Sequence, residues 1–334
     1  MIPEDSLWPI SQSWLYHAAR GKFHNLTAYN NAMDHRLGKP NDLHDYLRKA
    51  QMLNYEGMRA MFEAFETNRF RATGIIQWMY NSSWPKLWWQ LYDYYLMPNG
   101  AFYGARKANE PLHIAYDYGH HSVTVMNNTL QSAGPLTASA VLYVFSPDTS
   151  QPQKSLFKAY WRQNKQVDYL IGQSTLSLFT LPDSLPEAGT RFLRLQLLDQ
   201  NQNAISTNTY VLSRQGDQLD ETRSTWYITP QSRYADLTAL QYLPAVPLKL
   251  SVENKSKDGK QYLSVKVKNP SAFPAFMVHL KIQQNGRSVA PVFWSDNYFT
   301  VLPGEERTVW VYCQRKDPQE EWPVVRVAGW NVVQ

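Results

Sequence analysis

At 334 residues the chain is long enough for two or three domains. A charged fraction of 18% and a hydrophobic fraction of 43% exclude a disordered protein. The net charge is +5, but no run of Lys and Arg exceeds two residues, so nothing indicates nucleic-acid binding. No apolar run approaches the roughly 20 residues of a membrane helix. One cysteine gives no disulfide framework and no zinc pattern, and we expect no metal and no cofactor.

Aromatic residues are abundant. They make up 14% of the chain and include 12 tryptophans, more than core packing usually needs. Sugar-binding proteins use such rings as platforms for the faces of pyranose rings, although aromatic-rich β-sandwiches also exist. The composition therefore directs attention to wherever the rings are concentrated.

The first 40 residues predict a loop and two short helices. Apolar residues recur at near-helical spacing over Asn25 to Leu37, and Gly38 supplies a stop. His17, His24 and His35 lie seven and eleven residues apart, unlike the i, i+4 pair of a metal-binding helix. We interpret them as hydrogen-bonded or surface histidines.

A long helix is predicted next, capped by Asp42 and running from about Leu43 to Asn68. Gly57 interrupts it at a cost of about 1 kcal/mol relative to alanine. Apolar residues at three- and four-residue steps mark a face that we predict to be core: Leu43, Tyr46, Leu47, Ala50, Leu53, Met58, Met61, Phe62 and Phe65. The charged residues Glu56, Arg59, Glu63 and Glu66 fall mostly on the other side.

Thr73 to Tyr80 is a short apolar run behind a glycine and predicts a buried strand. The segment that follows, residues 81–99, is called the aromatic loop here. Its rings are Trp84, Trp88, Trp89, Tyr92, Tyr94 and Tyr95. They indicate either a stacking surface for a flat ligand or a hydrophobic plug under a neighbouring domain. Asp93 either lines a pocket or caps a turn, and we favour the turn. A short helix is predicted over about Ala101 to Asn109. The order helix, strand, aromatic loop and short helix is typical of the last units of a βα-barrel.

After Pro111 short strands replace helices. Those predicted between His113 and Ser213 are His113–Tyr116, Ser122–Asn127, Leu136–Phe145, Tyr169–Ile171, Leu176–Leu181, Phe192–Leu198 and Ser206–Leu212. Such spacing predicts an immunoglobulin-like β-sandwich over residues 113–213.

Residues 214–334 predict a polar crossing segment and a second immunoglobulin-like sandwich that ends close to Gln334. Its strands are predicted at Leu248–Glu253, Tyr262–Asn269, Phe276–Gln284, Val292–Phe293, Thr308–Gln314 and Val324–Trp330. Asn285-Gly286 is a strong signal for a hairpin turn.

The sequence from Ala72 to His113 resembles the last barrel strand and following loop of glycoside hydrolase family 2, in the branch of the β-mannosidases and exo-β-glucosaminidases. The form NSSWP…WWQLYDYY…GAFYGARKANEPLH is similar to the exo-β-glucosaminidases, which trim glucosamine from chitosan chains. Further resemblance is carried by the linker Trp226 to Leu237 and by the WSDNYF segment that contains Asn297. It covers nearly all of the chain.

This resemblance implies a multidomain, mainly β protein: the C-terminal end of a (β/α)8 TIM barrel in residues 1–112, followed by the two sandwiches. A retaining glycosidase needs a nucleophile and an acid/base carboxylate about 5 to 5.5 Å apart. In the resembled family these carboxylates end the seventh and fourth barrel strands, and this chain starts after the seventh. We therefore expect no catalytic residue here, and we expect the upstream part of the same enzyme as its partner.

The resemblance assigns binding roles instead. Trp78 would stack on the sugar in the cleavage subsite, and Asn81 would hydrogen-bond that sugar or a catalytic carboxylate. Trp84 and Trp89 would form the walls. For each of these residues structural packing is the alternative.

The leading hypothesis is thus the C-terminal part of a retaining glycoside hydrolase that removes terminal glucosamine from chitosan oligosaccharides, or mannose. This chain alone would be inactive. Its partner is an oligosaccharide or polysaccharide substrate, with no nucleic acid and no membrane. The alternative is a non-catalytic carbohydrate-binding or adaptor protein made of β-sandwiches. A third interpretation is a fragment that does not fold alone, because a cut barrel leaves an open strand edge. A periplasmic or secreted location is implied by the polymer-degrading relatives and by no residue in the chain.

Overall fold

The computed structural model describes residues 1–182, 189–257, 260–313 and 323–333. The α-helices of the described residues lie in the first third of the chain: α1 (Gln12–His17), α2 (Thr27–Leu37), α3 (Leu43–Thr67) and α4 (Gly100–Ala108). Asp42 caps α3 by accepting a hydrogen bond from the backbone N–H of Asp45 at 2.8 Å. In the part of the chain that the structure describes, no helix is long and apolar enough to cross a membrane.

The rest of the structure is mainly β. The first group of strands is β1 (Leu112–Asp117), β2 (Ser122–Asn127), β3 (Leu136–Ser146), β4 (Leu156–Val167), β5 (Ser174–Thr180), β6 (Thr190–Leu198) and β7 (Ala204–Leu212). They form two antiparallel sheets, with the orders β1-β2-β5 and β4-β3-β6-β7. Ile114 and Val125 of one sheet pack with Leu142 and Leu193 of the other in a shared core. This is a β-sandwich.

A linker and a second sandwich follow. The linker holds β8 (Gln218–Leu219) and β9 (Gln231–Arg233). The second group is β10 (Val246–Pro247), β11 (Lys249–Lys257), β12 (Lys260–Lys268), β13 (Ala275–Gln284), β14 (Arg287–Ser288), β15 (Val292–Trp294), β16 (Phe299–Val301), β17 (Glu306–Cys313), β18 (Val324–Ala328) and β19 (Val332–Val333). One sheet has the order β11-β12-β17-β15, and β13 pairs with β14, β16 and β18. Asn285 and Gly286 both have positive φ at the predicted hairpin turn.

Several elements differ from the sequence predictions. Strand β4 is additional, and Tyr169–Ile171 forms only an isolated bridge, between Leu170 and Ala133. Thr73–Tyr80 forms no strand, and the described residues show no end of a TIM barrel around it. The physical reason is that a buried parallel strand needs hydrogen-bonded neighbours and covered faces, which the described residues do not supply at this segment. Gln314 of the predicted strand Thr308–Gln314 and the predicted end at Gln334 lie outside the described residues.

The prediction for the faces of α3 is partly wrong. Tyr46 is buried as expected, but Leu47 and Met61 are exposed. The charged side is inside instead: Arg59 is 1% and Glu63 is 3% exposed. The reason is that this side of the helix packs on a sandwich surface that supplies hydrogen-bonding groups, and apolar periodicity does not register such a partner.

A buried polar cluster joins α3 to the first sandwich. The Glu63 carboxylate accepts hydrogen bonds from the Tyr210 hydroxyl at 2.7 Å and from His113 Nε2 at 2.9 Å. The Arg59 guanidinium lies 3.9 Å from the centroid of the Tyr210 ring and donates to the carbonyl oxygen of Thr209 at 2.9 Å. Buried charges are stable only when paired and hydrogen-bonded, so these contacts fix how the helix sits on the sandwich.

The same cluster perturbs ionisation. Burial would lower the pKa of His113, but the carboxylates of Glu110 and Glu63 outweigh burial and raise it. Burial would likewise raise the pKa of Glu110, but the cationic Lys107 and the contact with His113 lower it to about 2. Both shifts favour the charged form of the group concerned.

Candidate functional site

Trp78 and Asn81 lie on the surface just before and at the start of the aromatic loop. The Trp78 side chain is 74% exposed, and Asn81 is exposed as well. Gln77 fixes the backbone here, because its side-chain amide donates to the carbonyl oxygens of Trp78 at 3.1 Å and of Trp89 at 3.0 Å. The Gln77 side chain therefore links the backbone at Trp78 to the backbone at Trp89 in the aromatic loop.

Trp84 lies on the end of α1. Its ring stacks on His17, with centroids 5.7 Å apart and planes at 18°, and meets Tyr16 edge-on at 5.7 Å. His17 Nδ1 lies 2.6 Å from the carbonyl oxygen of Pro85, and the backbone N–H of Leu87 donates to the carbonyl oxygen of His17 at 3.0 Å. The imidazole therefore holds the aromatic loop in place and supports the Trp84 ring.

Trp89 belongs to a different group of rings. It is 39% exposed and meets Phe23 edge-on, with centroids 4.8 Å apart. The neighbouring Trp88 donates its indole N–H to the carbonyl oxygen of Phe23 at 3.1 Å. Trp89 has φ 67° and Met79 has φ 67°, and non-glycine residues adopt this left-handed conformation only where the surroundings hold them in it. The indole positions are thus set by the fold rather than by local preference.

Asp93 caps a turn at the end of the aromatic loop, as expected. Its side chain accepts hydrogen bonds from the backbone N–H groups of Tyr95 at 2.8 Å and Met97 at 2.9 Å. Asn99 then begins α4 by accepting from the N–H of Phe102 at 3.2 Å. These bonds give the carboxylate a structural role.

The hydroxyl group of Tyr92 in the aromatic loop is neutral. Burial, followed by the contact with Tyr80, raises the pKa of Tyr92 to about 12. The rings of Tyr80 and Tyr92 lie 5.2 Å apart. The uncharged Tyr92 hydroxyl suits hydrogen bonding to a polyol and does not supply an acid or base near neutral pH.

The structure thus places Trp84 and Trp89 in two different groups of rings, and it leaves Trp78 and Asn81 exposed. Trp84 is grouped with His17, and Trp89 is grouped with Phe23. Sequence reasoning did not connect the linker with this site. Trp226 and Tyr227 of the linker also contact Phe23, with centroid distances of 6.2 and 5.4 Å. More than a hundred residues separate the linker from the aromatic loop in the sequence, so their contact could not be predicted from residue spacing.

A cavity of about 340 Å³ lies elsewhere, between the end of α4 and the second sandwich. Charged side chains line it, among them Arg106, Lys107, Glu110, Asp296 and Arg307, and no residue of the aromatic loop does. Lys107 pairs with Glu110 at 2.6 Å, and Arg307 pairs with Asp296. These charges satisfy one another, so the cavity is a polar seam between domains. Within the described ranges no group of His, Cys, Asp and Glu is arranged to hold a metal ion.

Comparison with known proteins gives consistent matches. A family model described as the exo-beta-D-glucosaminidase Ig-fold domain matches residues 226–332. The chain is 38% identical to an exo-beta-D-glucosaminidase of Streptomyces avermitilis, over 99% of this chain and 37% of that protein. It is 23% identical to a mannosylglycoprotein endo-beta-mannosidase of Lilium longiflorum, over 88% of this chain and 34% of that protein.

A solved structure matches equally far along the chain. The crystal structure of the Amycolatopsis orientalis exo-chitosanase CsxA superposes with a TM-score of 0.88 at 35% identity, over 98% of this chain and 39% of that one. A variant of the same exo-chitosanase has been solved in complex with PNP-beta-D-glucosamine and matches with the same TM-score. The chain spans 37% of the length of the Streptomyces avermitilis relative and 34% of the length of the Lilium longiflorum relative.

Proposed function

Because this chain belongs to the exo-β-D-glucosaminidase and β-mannosidase branch of glycoside hydrolase family 2, as its C-terminal portion, we propose that it is part of a retaining exo-glycosidase. The substrates are terminal β-linked sugars: glucosamine at the end of chitosan oligosaccharides first, mannose second. The observation that carries this proposal is the match of almost the whole chain, in sequence and in fold, to exo-β-D-glucosaminidases. A periplasmic or secreted location belongs to the same proposal, because chitosan is a polymer outside the cell.

In this proposal Trp78 stacks on the sugar in the cleavage subsite, Asn81 hydrogen-bonds that sugar or a catalytic carboxylate, and Trp84 and Trp89 form walls. Three observations support these roles. The Trp78 ring is open to solvent, Trp84 is held by His17, and Trp89 is fixed in a left-handed backbone conformation. A rigid, exposed indole loses little side-chain entropy on binding and presents a large face to a flat ligand.

The finer architecture is also a proposal. Residues 1–112 would complete a TIM barrel with an upstream part of the same enzyme, and the first sandwich would be of immunoglobulin type. The exposed apolar side chains of Leu47 and Met61 on α3, and of Ile76, support a covering partner for residues 1–112. The nucleophile and the acid/base carboxylate would come from that partner, which would leave this chain inactive by itself.

The experiment uses the enzyme as its native host makes it and compares Trp78→Ala with Trp310→Ala, an exposed tryptophan of β17. We expect Trp78→Ala to lower kcat/KM on an aryl β-glucosaminide by orders of magnitude and to leave Tm within a few degrees, because the removed ring is exposed. Trp310→Ala should change neither. Near-normal activity of Trp78→Ala would refute the stacking role.

Substrate class is tested on the wild-type enzyme with aryl β-glucosaminide and aryl β-mannoside side by side. Cleavage of either sugar with retention of configuration supports the enzyme, and the ratio of the two kcat/KM values selects the sugar. No cleavage of either, together with retention of the protein on chitosan or mannan, would replace the proposal with a non-catalytic carbohydrate-binding protein.

A further inference from the structure

Three distant segments of the chain meet at the ring of Phe23. They are the short 3-10 helix Gly21–Phe23, the aromatic loop at Trp89, and residues 224–229 of the linker. The rings of Trp89, Trp226 and Tyr227 all meet Phe23 nearly at right angles, at 86°, 89° and 81°. We call these four rings the Phe23 cluster.

Trp226 is the outermost member of the Phe23 cluster and is 83% exposed. A side chain of this size that stays in water does not gain the free energy of burial in the core. Tyr227 lies beside it, with ring centroids 5.1 Å apart, and links it to Phe23. An exposed indole backed by two further rings is an arrangement that contributes contact area to a ligand rather than to the core.

The turn that carries Trp226 is held by hydrogen bonds. The N–H of Thr225 donates to the carbonyl oxygen of Ile228 at 2.8 Å, and the N–H of Ile228 donates to the Thr225 hydroxyl at 3.3 Å. The hydroxyls of Ser224 and Thr229 bond across the base of the turn at 2.8 Å. The exposure of Trp226 is therefore a property of a defined turn, not of a loose one.

The Phe23 cluster is continuous with the candidate site. Gln77 binds the carbonyl oxygens of both Trp78 and Trp89, and the Trp89 ring contacts Phe23, which contacts Trp226. A chain of direct contacts thus runs from the proposed cleavage-subsite residue to the linker ring. A substrate longer than one sugar that occupies Trp78 can extend along this surface.

We propose that Trp226 is a second sugar-binding ring, contributed by the linker, that takes a pyranose unit of the oligosaccharide away from the unit at Trp78. This proposal rests on the proposed function and deepens it by assigning a preference for chain length. The apolar face of a pyranose packs on an indole, and the ammonium group of a glucosamine unit is attracted to the same face by the ring quadrupole. The expected ligand is therefore a β-linked amino-sugar oligomer.

The test compares substrates of one and six sugars on the protein as its host makes it. Trp226→Ala should lower kcat/KM for a glucosamine hexamer by about tenfold, the value expected for loss of one stacking contact. It should leave kcat/KM for an aryl β-glucosaminide, which has a single sugar, unchanged. Trp226→Phe should keep most of the hexamer rate, and Trp310→Ala should keep all of it.

Two outcomes overturn the inference while the proposed function stands. One is an unchanged hexamer rate in Trp226→Ala. The other is an equal loss on both substrates together with a lower Tm, which would show that the ring packs against protein. If the wild type cleaves neither a glucosaminide nor a mannoside, the enzymatic proposal fails. Calorimetric titration with the same hexamer then tests whether the Trp226 ring binds a sugar unit. Weaker binding by Trp226→Ala would then support it, and equal or absent binding would overturn it.

Discussion

Helices α3 and α4 cross closely at Gly104. We therefore predict that Gly104→Ala lowers the free energy of unfolding, whereas Gly57→Ala, at an open position of α3, raises it. A Cβ atom added at Gly104 would fall on the carbonyl oxygen of Tyr55, 3.0 Å from the carbonyl carbon of that residue and 3.2 Å from the backbone nitrogen of Arg59. All three are backbone atoms of α3 and cannot rotate away. At Gly57, on α3 itself, nothing lies within 4 Å of the added atom.

The magnitudes follow from these surroundings. Gly104→Ala forces two packed helices apart, and overpacking of this kind costs typically 1–3 kcal/mol. We expect a value at or above the upper end, since only a backbone shift relieves the clash. Gly57→Ala should instead stabilise by about 0.5–1 kcal/mol, because alanine in a helix interior loses less backbone entropy on folding.

The measurement is guanidinium-induced unfolding followed by far-UV circular dichroism, with the wild type, Gly57→Ala and Gly104→Ala compared at equal slope m. The midpoint should fall for Gly104→Ala and rise for Gly57→Ala. If Gly104→Ala unfolds at the wild-type midpoint, the crossing is not as close as the structure has it. If Gly57→Ala is destabilised as much as Gly104→Ala, helix propensity does not determine the effect of alanine at Gly57.

The buried polar cluster gives two further predictions. Arg59→Met should destabilise the fold by about 3–5 kcal/mol, because it leaves the Glu56 carboxylate, which pairs with the Arg59 guanidinium at 2.5 Å, without its cation. Arg223→Ala, which removes an exposed pair, should leave the unfolding midpoint nearly unchanged in the same denaturation experiment. The unfolding free energy of the wild type should fall as pH rises above about 6.5, the unfolded pKa of a histidine, and His113→Gln should flatten this fall.

The sign of the second effect follows from the direction of the shift. The flanking carboxylates raise the pKa of His113 in the folded state, so the folded protein binds its proton more tightly than the unfolded chain. The stabilisation is complete below the unfolded pKa of about 6.5 and is lost as pH rises through the folded value. A wild-type stability that is flat or increasing over this range, relative to His113→Gln, would contradict the assignment of the ion pair.

Local signals determined the helices. Asp42 with the periodic run behind it predicts a helix that the structure begins at Leu43 and ends at Thr67, within a residue of the expected end. The hairpin at Asn285-Gly286 follows in the same way from residues that tolerate positive φ. Such elements depend on atoms within a few residues of each other, so one sequence window contains their cause.

Strands were harder to place, because a strand exists only with its partner. β4 is an edge strand beside β3 with mostly exposed side chains, so it lacks the apolar alternation that would have indicated it. The run Thr73–Tyr80 has the composition of a buried strand but no strand to pair with among the described residues. In both cases pairing, not composition, decided the outcome.

By itself, then, the sequence determined the approximate ranges of α2, α3 and α4, the β-rich character of the chain after residue 112, the family to which it belongs and the concentration of rings in the aromatic loop. The tertiary structure alone decided which side of α3 is buried, because His113 and Tyr210 on the sandwich offer partners to Glu63. It also decided that Trp226 lies beside Phe23. Contacts between segments distant along the chain depend on how whole elements pack, and residue spacing does not encode that packing.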